Sequence, residues 1–212
     1  EESQALMKTI LDDLDVDYEI GIDEAAFYGP KLDIQYKNVF GKEDTIVTIQ
    51  IDMLLAERFG MYYIDKDGQK KLPYIIHRTS IGCYERTLAW LIEKYAGMFP
   101  TWLCPEQVRV LPISEKYAEY ADSVCQKLTA SGVDATVDNR SEKIGFKIRE
   151  ARLHRIPYML IVGQKEQEEN KVSLRSRYKG DEGQVALDDF IADITEEIRT
   201  KEIRKIEVSE EK

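Results

Sequence analysis

This sequence has too little cysteine to be stapled together. Cys83, Cys104 and Cys125 are odd in number and far apart, which excludes a disulfide framework and any Cys-x-x-Cys metal knuckle and makes a reducing cytoplasm the expected location. No apolar run approaches the roughly 20 residues needed to cross a bilayer, and the start resembles no secretory leader, so no membrane partner is expected. There is no internal repeat, no low-complexity stretch and no Gly-rich phosphate loop. Histidine is scarce too, and no second His or Cys has plausible ligand spacing to His77, whereas a zinc site needs three or four ligands.

What is present is enough apolar residue, 43% of 212, for a packed core in one large or two small domains. Acidic residues outnumber basic ones, 40 to 30, which argues weakly against a nucleic-acid partner because phosphate binding is mostly electrostatic. The cations are clustered, however. "RSEKIGFKIREARLHR" carries Arg140, Lys143, Lys147, Arg149, Arg152 and Arg155 against only Glu142 and Glu150, a basic island on an acidic body. The chain opens on Glu1 rather than Met, which reads as a processed or partial sequence.

Periodicity divides the chain in two. Gln4 to Leu14 has Leu6, Ile10 and Leu14 at helical spacing, Tyr18, Ile20 and Ile22 alternate as in a strand, and "LDIQYKNVF" and "TIVTIQID" alternate again. "YIDKDGQKKLPYIIH" reads as a hairpin turning at Asp67-Gly68, then a strand, and Tyr84 to Tyr95 as a helix stopped by Gly97. This is antiparallel β closed by one helix, with one sheet face and an edge left for a partner or an upstream continuation to cover. After the connector "FPTWLCPEQ" strands alternate with helices: "VRVLPI", Lys116 to Leu128, "VDATVD", Ile144 to Leu153, "YMLIVG", "KVSLRSR" and Leu187 to Ile203. That pattern predicts an α/β domain with a mostly parallel sheet, giving domains 1–103 and 104–212 and the fold class α+β followed by α/β.

Several side chains could do chemistry. Tyr28-Gly29-Pro30-Lys31 is a rigid turn that could hold a polar ligand with a phenol and an ammonium, or an ordinary surface turn. Thr48, Gln50 and Asp52 share a strand face, as ligand readers or simply as a wet face. "IHRTSIGCYER" delivers His77 at a strand end, uses Gly82 for close backbone approach, and puts Arg86 at a helix N-terminus. A cation is poorly placed against the helix dipole there, so an anion such as phosphate is expected between them. On the Ile144 helix, Ile144, Ile148 and Ala151 face the core while Lys143, Lys147 and His154 share a flank and Arg149 points away. "LRSR" places Arg175 and Arg177 on one face near Glu166, either to read base edges or to form an ion pair with it.

The succession "EAAFYGPK", "TIQID", "IHR…IG…ER", "YAGMFPTWLCPEQVRVLPIS", "EKIGFKIREA" and "IPYMLIVG" resembles the C-terminal half of bacterial threonyl-tRNA synthetases over essentially the whole chain. The resemblance implies the end of a class II synthetase catalytic domain on a partial antiparallel sheet, then an anticodon-binding α/β domain. It implies ATP-dependent formation of threonyl-adenylate and transfer of threonine to its tRNA, with magnesium and arginines on the ATP phosphates. Arg86 matches the arginine that ends the last catalytic motif and contacts ATP. Lys31 and Gln50 match catalytic positions. Tyr28 and Lys31 match the turn lining the threonine and ATP site, and Thr48 and Gln50 match its strand. Cys83 stands where the family often has serine. His77 matches one of three zinc ligands, the other two being expected upstream of Glu1, and for that reason, with the family's other ATP arginine also upstream, the chain alone is expected to be inactive. Ser141, Lys143, Arg149, Glu166 and Arg175 match residues that contact or flank the anticodon, Ser141 standing where asparagine is commoner. A homodimer is implied for the full-length protein. The alternatives are a non-catalytic RNA-binding regulatory paralogue, against which Tyr28, Gln50, His77 and Arg86 argue, and a sibling synthetase, against which His77 argues. For the second half alone a third is a small-molecule or signalling domain, which no Gly-rich phosphate loop supports.

Overall fold

Antiparallel pairing organises the first part of the chain and parallel pairing the second. The computed structural model describes residues 2–206, which fall into two compact units, Glu1–Glu93 and Lys94–Lys212.

The first unit begins with α1 (Glu2–Asp13), whose buried residue is Leu11; Leu6, Ile10 and Leu14, the spacing seen in the sequence, lie half-exposed. No strand forms over Tyr18 to Ile22, where Ile20 and Ile22 are 70% and 80% exposed. Alternation makes a strand only where a neighbour completes the backbone ladder, and among the described residues none lies alongside. The sheet proper has order β1-β2-β5, from β1 (Lys31–Lys37), β2 (Glu43–Asp52) and β5 (Ile75–Arg78), all antiparallel. Between β2 and β5 come α2 (Leu55–Arg58) and a small hairpin of β3 (Tyr63–Ile64) and β4 (Lys70–Lys71).

The last helix of this region, α3 (Tyr84–Tyr95), lies over the face that carries Leu32, Ile34 and Tyr36, with the Tyr36 and Trp90 rings 5.4 Å apart. A bulge at Ile46, opposite the step from Ile34 to Gln35, admits the loop before α3. Gly82 (φ +64°) packs there so closely that a Cβ would lie 2.1 Å from the Ile46 carbonyl oxygen. Cover is thin even on this face: α3 has no buried residue, and Ile34 and Ile76 are more than half exposed.

The second unit has a five-stranded sheet in the order β10-β9-β8-β6-β7. Its parallel centre is β6 (Val108–Pro112) between β7 (Ala135–Val137) and β8 (Tyr158–Val162), and β9 (Lys171–Ser176) with β10 (Gly180–Ala186) extends it as an antiparallel hairpin. On one face Val108, Val110, Leu160 and Val162 pack with Val124 and Leu128 of α4 (Ala118–Ala130) and Phe190 and Ile194 of α7 (Leu187–Thr200). On the other, Leu111 and Met159 pack with Ala151 of α5 (Ile144–Leu153), alongside Ile144 and Ile148. Sequence periodicity misses β10, which is glycine-rich and polar and forms because β9 offers a free edge, and α6 (Gln164–Glu169), which has no apolar stripe at all.

Stability therefore resides unevenly. Leu160→Ala, at a fully buried site, should cost about 2–5 kcal/mol in urea unfolding of the second unit, whereas Leu88→Ala, at a half-exposed site on α3, should cost less than about 1.

Candidate functional site

The sheet face turned away from α3 gathers most of the polar residues picked out in the first half of the sequence. Register alone does this: Lys31 pairs with Gln50 across β1 and β2, and Gln50 pairs with His77 across β2 and β5, so the three side chains stand in one row. The next row joins Asp33 to Thr48. The turn before β1 is locked against β2 by the Met53 N–H donating to the Tyr28 carbonyl at 3.0 Å and the Ile51 N–H to that of Pro30 at 3.1 Å. Gly29 is needed there, because a Cβ would fall 1.8 Å from the Ile51 carbonyl oxygen. Tyr28 is thereby laid over the row. Its hydroxyl donates to Gln50 Oε1 at 2.9 Å, and its ring lies 6.0 Å from the His77 ring at 62°.

Lys31, Asp33, Thr48, Asp52 and His77 all have partners. Lys31 Nζ is 2.5 Å from Asp33 Oδ2, and Thr48 Oγ1 donates to Asp33 Oδ1 at 2.7 Å. Burial opposes ionisation of Asp33, but the bonds from Lys31 and Thr48 outweigh it and hold its pKa below the usual carboxylate value. Asp52, fully buried, accepts the Leu54 and Leu55 N–H groups on Oδ1 at 2.9 and 3.0 Å and faces His77 Nε2 with Oδ2 at 3.0 Å. Here too desolvation is outweighed, by His77 and the two N–H groups, and the carboxylate pKa is lowered. Among the described residues the Gln50 amide nitrogen and the second ring nitrogen of His77 have no hydrogen-bond partner.

Arg86 is not brought to this row. Its guanidinium donates to the Thr45 carbonyl at 2.9 Å, five residues before Gln50 along β2, or about 16 Å at ~3.3 Å per residue. The helix-terminal cation that sequence reasoning assigned to an anion thus has a backbone acceptor instead. Cys83 is exposed, with its thiol on Glu85 at 2.9 Å. As for metal, among the described residues no group of three or more His, Cys, Asp or Glu could hold an ion. His77 fits a single coordination position, being part-exposed with one ring nitrogen anchored by a carboxylate, as ligating imidazoles commonly are.

In the second unit the basic island is partly internal. Arg140 is bidentate to Asp138, through Nε at 2.8 Å and Nη2 at 2.7 Å, and also bonds Glu150. Lys147 is no member of a solvent flank: it is 2% exposed, and its ammonium donates to the carbonyls of Asp138 at 2.8 Å and Pro112 at 3.1 Å. It sits on the same helical stripe as Ile144, Ile148 and Ala151, its stem packing among them while its charge finds two oxygens. Arg155 bonds the Ala96 carbonyl. This leaves Lys143, Arg149 and Arg152 exposed, with no hydrogen bond or ion pair among the described residues, beside an open depression of about 390 Å³ lined by Arg149 and Arg152. Ser141 is exposed in the loop that the Arg140 bonds tie down.

Among the described residues Glu166 makes no ion pair with an arginine. Its Oε1 accepts from Ser173 Oγ at 2.8 Å and Gln184 Nε2 at 2.7 Å, and its Oε2 from the Gly163 N–H at 3.0 Å, clasping α6 to β9 and β10. Arg175 lies on the same strand face as Ser173, 4.0 Å from Asp181. Arg177 does not join it, being turned onto the carbonyls of Arg155 and Phe99. The partners missed by sequence reasoning are Asp33, Asp138 and Glu150; for Asp33 the signal was there, since Lys31 and Asp33 share a face at strand spacing.

Residues 1–95 match the family described as tRNA synthetase class II core domain (G, H, P, S and T), and residues 107–197 the one described as Anticodon binding domain. A threonine–tRNA ligase of Clostridium perfringens is 63% identical over 202 residues, which are 95% of this chain. Over 95% of its length the chain is similar to a threonyl-tRNA synthetase. A further threonine–tRNA ligase, from Staphylococcus carnosus, is 44% identical over 206 residues. The chain spans 31% of the length of the first relative and 32% of the second. The crystal structure of the RNA binding domain of threonyl-tRNA synthetase from Cryptosporidium parvum superposes with a TM-score of 0.78 at 36% identity, covering 92% of this chain and 49% of that one.

The Glu166 clasp gives an acid-sensitivity test. Burial raises its pKa, the bonds from Gln184, Ser173 and Gly163 lower it further than that, and the net is a depressed value. A depressed folded pKa stabilises above the unfolded value of ~4.3 and is lost as pH falls through the folded one. Glu166→Gln should therefore cost about 1–2 kcal/mol in urea unfolding at neutral pH, with the deficit shrinking near pH 3.

Proposed function

We propose that the chain serves in threonine–tRNA ligation: ATP-dependent formation of threonyl-adenylate, then transfer of threonine to tRNA. The observation that carries this is the row of Lys31, Gln50 and His77, assembled on one sheet face by register, under the Tyr28 ring that the preceding turn lays over it. In this reading Tyr28, Lys31, Thr48 and Gln50 line the threonine and ATP site, with Lys31 facing carboxylate or phosphate and the Gln50 amide donating to the substrate. Arg86 serves ATP once its guanidinium leaves the Thr45 carbonyl, and Cys83 flanks it. His77 would hold zinc, which when bound supplies a Lewis acid for threonine's amino and hydroxyl groups; magnesium accompanies ATP. The full-length protein acts as a cytoplasmic homodimer.

The chain by itself is proposed to form no adenylate. Lys31, the cation in the row, is already neutralised by Asp33, and His77 is one donor where a zinc site needs three or four. Pyrophosphate exchange with this chain should show no threonine-dependent turnover, and turnover would overturn the proposal.

The second unit is proposed to read the anticodon of threonine-specific tRNA, with domains divided at 103/104. Lys143, Arg149 and Arg175 supply cationic donors, Ser141 a hydroxyl, and Glu166 holds Ser173 and Gln184 beside Arg175. Unpaired anticodon bases are suited to edge hydrogen bonding and stacking. In filter binding, Arg149→Ala and Arg175→Ala should each weaken tRNA binding by roughly tenfold, while Arg199→Ala, whose guanidinium is paired to Glu196 on α7, should not. Equal affinity for a tRNA with an unrelated anticodon would sink the reading.

A further inference from the structure

We infer that Asp52 is a positioning residue that fixes the His77 ring as its Nε2–H tautomer and so reserves Nδ1, with its lone pair, for the ligand. The two oxygens of Asp52 are not equivalent. Oδ1 is saturated by the Leu54 and Leu55 N–H groups at 2.9 and 3.0 Å, which prevents the carboxylate from turning over. Oδ2 is thereby left facing His77 Nε2 at 3.0 Å. An ionised carboxylate only accepts, so a neutral imidazole facing it must place its proton on Nε2.

Burial strengthens the constraint. The Asp52 side chain has no solvent access, whereas that of His77 is 46% exposed, so one ring edge is anchored in the protein and the other opens outward. Strand pairing with Gln50 and the Tyr28 ring limit how the imidazole can tilt. Nδ1 then offers its electron pair to a Lewis acid or a hydrogen-bond donor. The inference rests on the reading of His77 as a ligand-facing group, but the position of the ring proton is measurable without substrate, metal or turnover.

The test is nitrogen-15 NMR of the imidazole ring in the 212-residue chain at about pH 9, above the ordinary histidine range of ~6.5. His77 should show a pyrrole-type Nε2 and a pyridine-type Nδ1, favoured roughly tenfold or more by the net worth of a charged hydrogen bond. Asp52→Asn sharpens it. The Asn carbonyl must take the Oδ1 position to keep the Leu54 and Leu55 bonds, which turns its NH₂ toward Nε2 and should invert the preference to Nδ1–H. Fold-averaged shifts in the unsubstituted chain, or the same tautomer in both proteins, would overturn the inference. If the variant fails to fold, averaged shifts in the unsubstituted chain still overturn the inference. Inverted tautomers together with threonine-dependent pyrophosphate exchange by this chain would leave the role of Asp52 standing while removing the proposal of inactivity.

Discussion

The pairing register of β2 is the constraint on which the first unit depends. Side chains alternate across a sheet with a period of two, so a slip of one residue would send Thr48, Gln50 and Asp52 to the helix side and bring Val47 and Ile49 out in their place. Register is pinned at both ends of the strand. At one end the Tyr28–Lys31 turn bonds to Ile51 and Met53; at the other, Gly82 and Arg86 seat on the backbone around the Ile46 bulge. With little apolar burial to enforce alignment in this unit, these backbone contacts do the work that a core does in the second.

On that core, the loop before α5 is fixed electrostatically. Asp138, nearly buried, gathers Arg140 through its carboxylate and Lys147 through its carbonyl, and Arg140 returns to Glu150 on α5. Its pKa is held down chiefly by the Arg140 bond, against burial. Such a network is unfavourable half-made and rigid when complete. It fixes the loop bearing Ser141 and Lys143 to the helix bearing Arg149, so the exposed groups are presented from a stiff support.

Most of the fold was readable from periodicity, because amphipathic segments such as α4, α5 and α7 bury one stripe and write that burial into their spacing. What periodicity could not supply was context. The alternation at Tyr18–Ile22 had no neighbour to pair with, and β10 became a strand only through the edge of β9. In the candidate site, strand spacing put Thr48, Gln50 and Asp52 on one face correctly, but only the cross-strand register joins them to Lys31 and His77. The bond from Arg86 to the Thr45 carbonyl was not readable for a related reason: its acceptor is a backbone oxygen beside a bulge, and nothing in the side-chain pattern announces a bulge.

The interior position of Lys147 changes how strongly this surface responds to ionic strength. Counterions are shed from a polyanion only by charges that reach its phosphates, and the logarithm of affinity falls with that of salt in proportion to their number. Of the six cations between Arg140 and Arg155, three are spent on partners within the fold. An RNA resting on this helix would meet the other three, and its hold would fade with added salt about half as steeply as a count of basic letters implies.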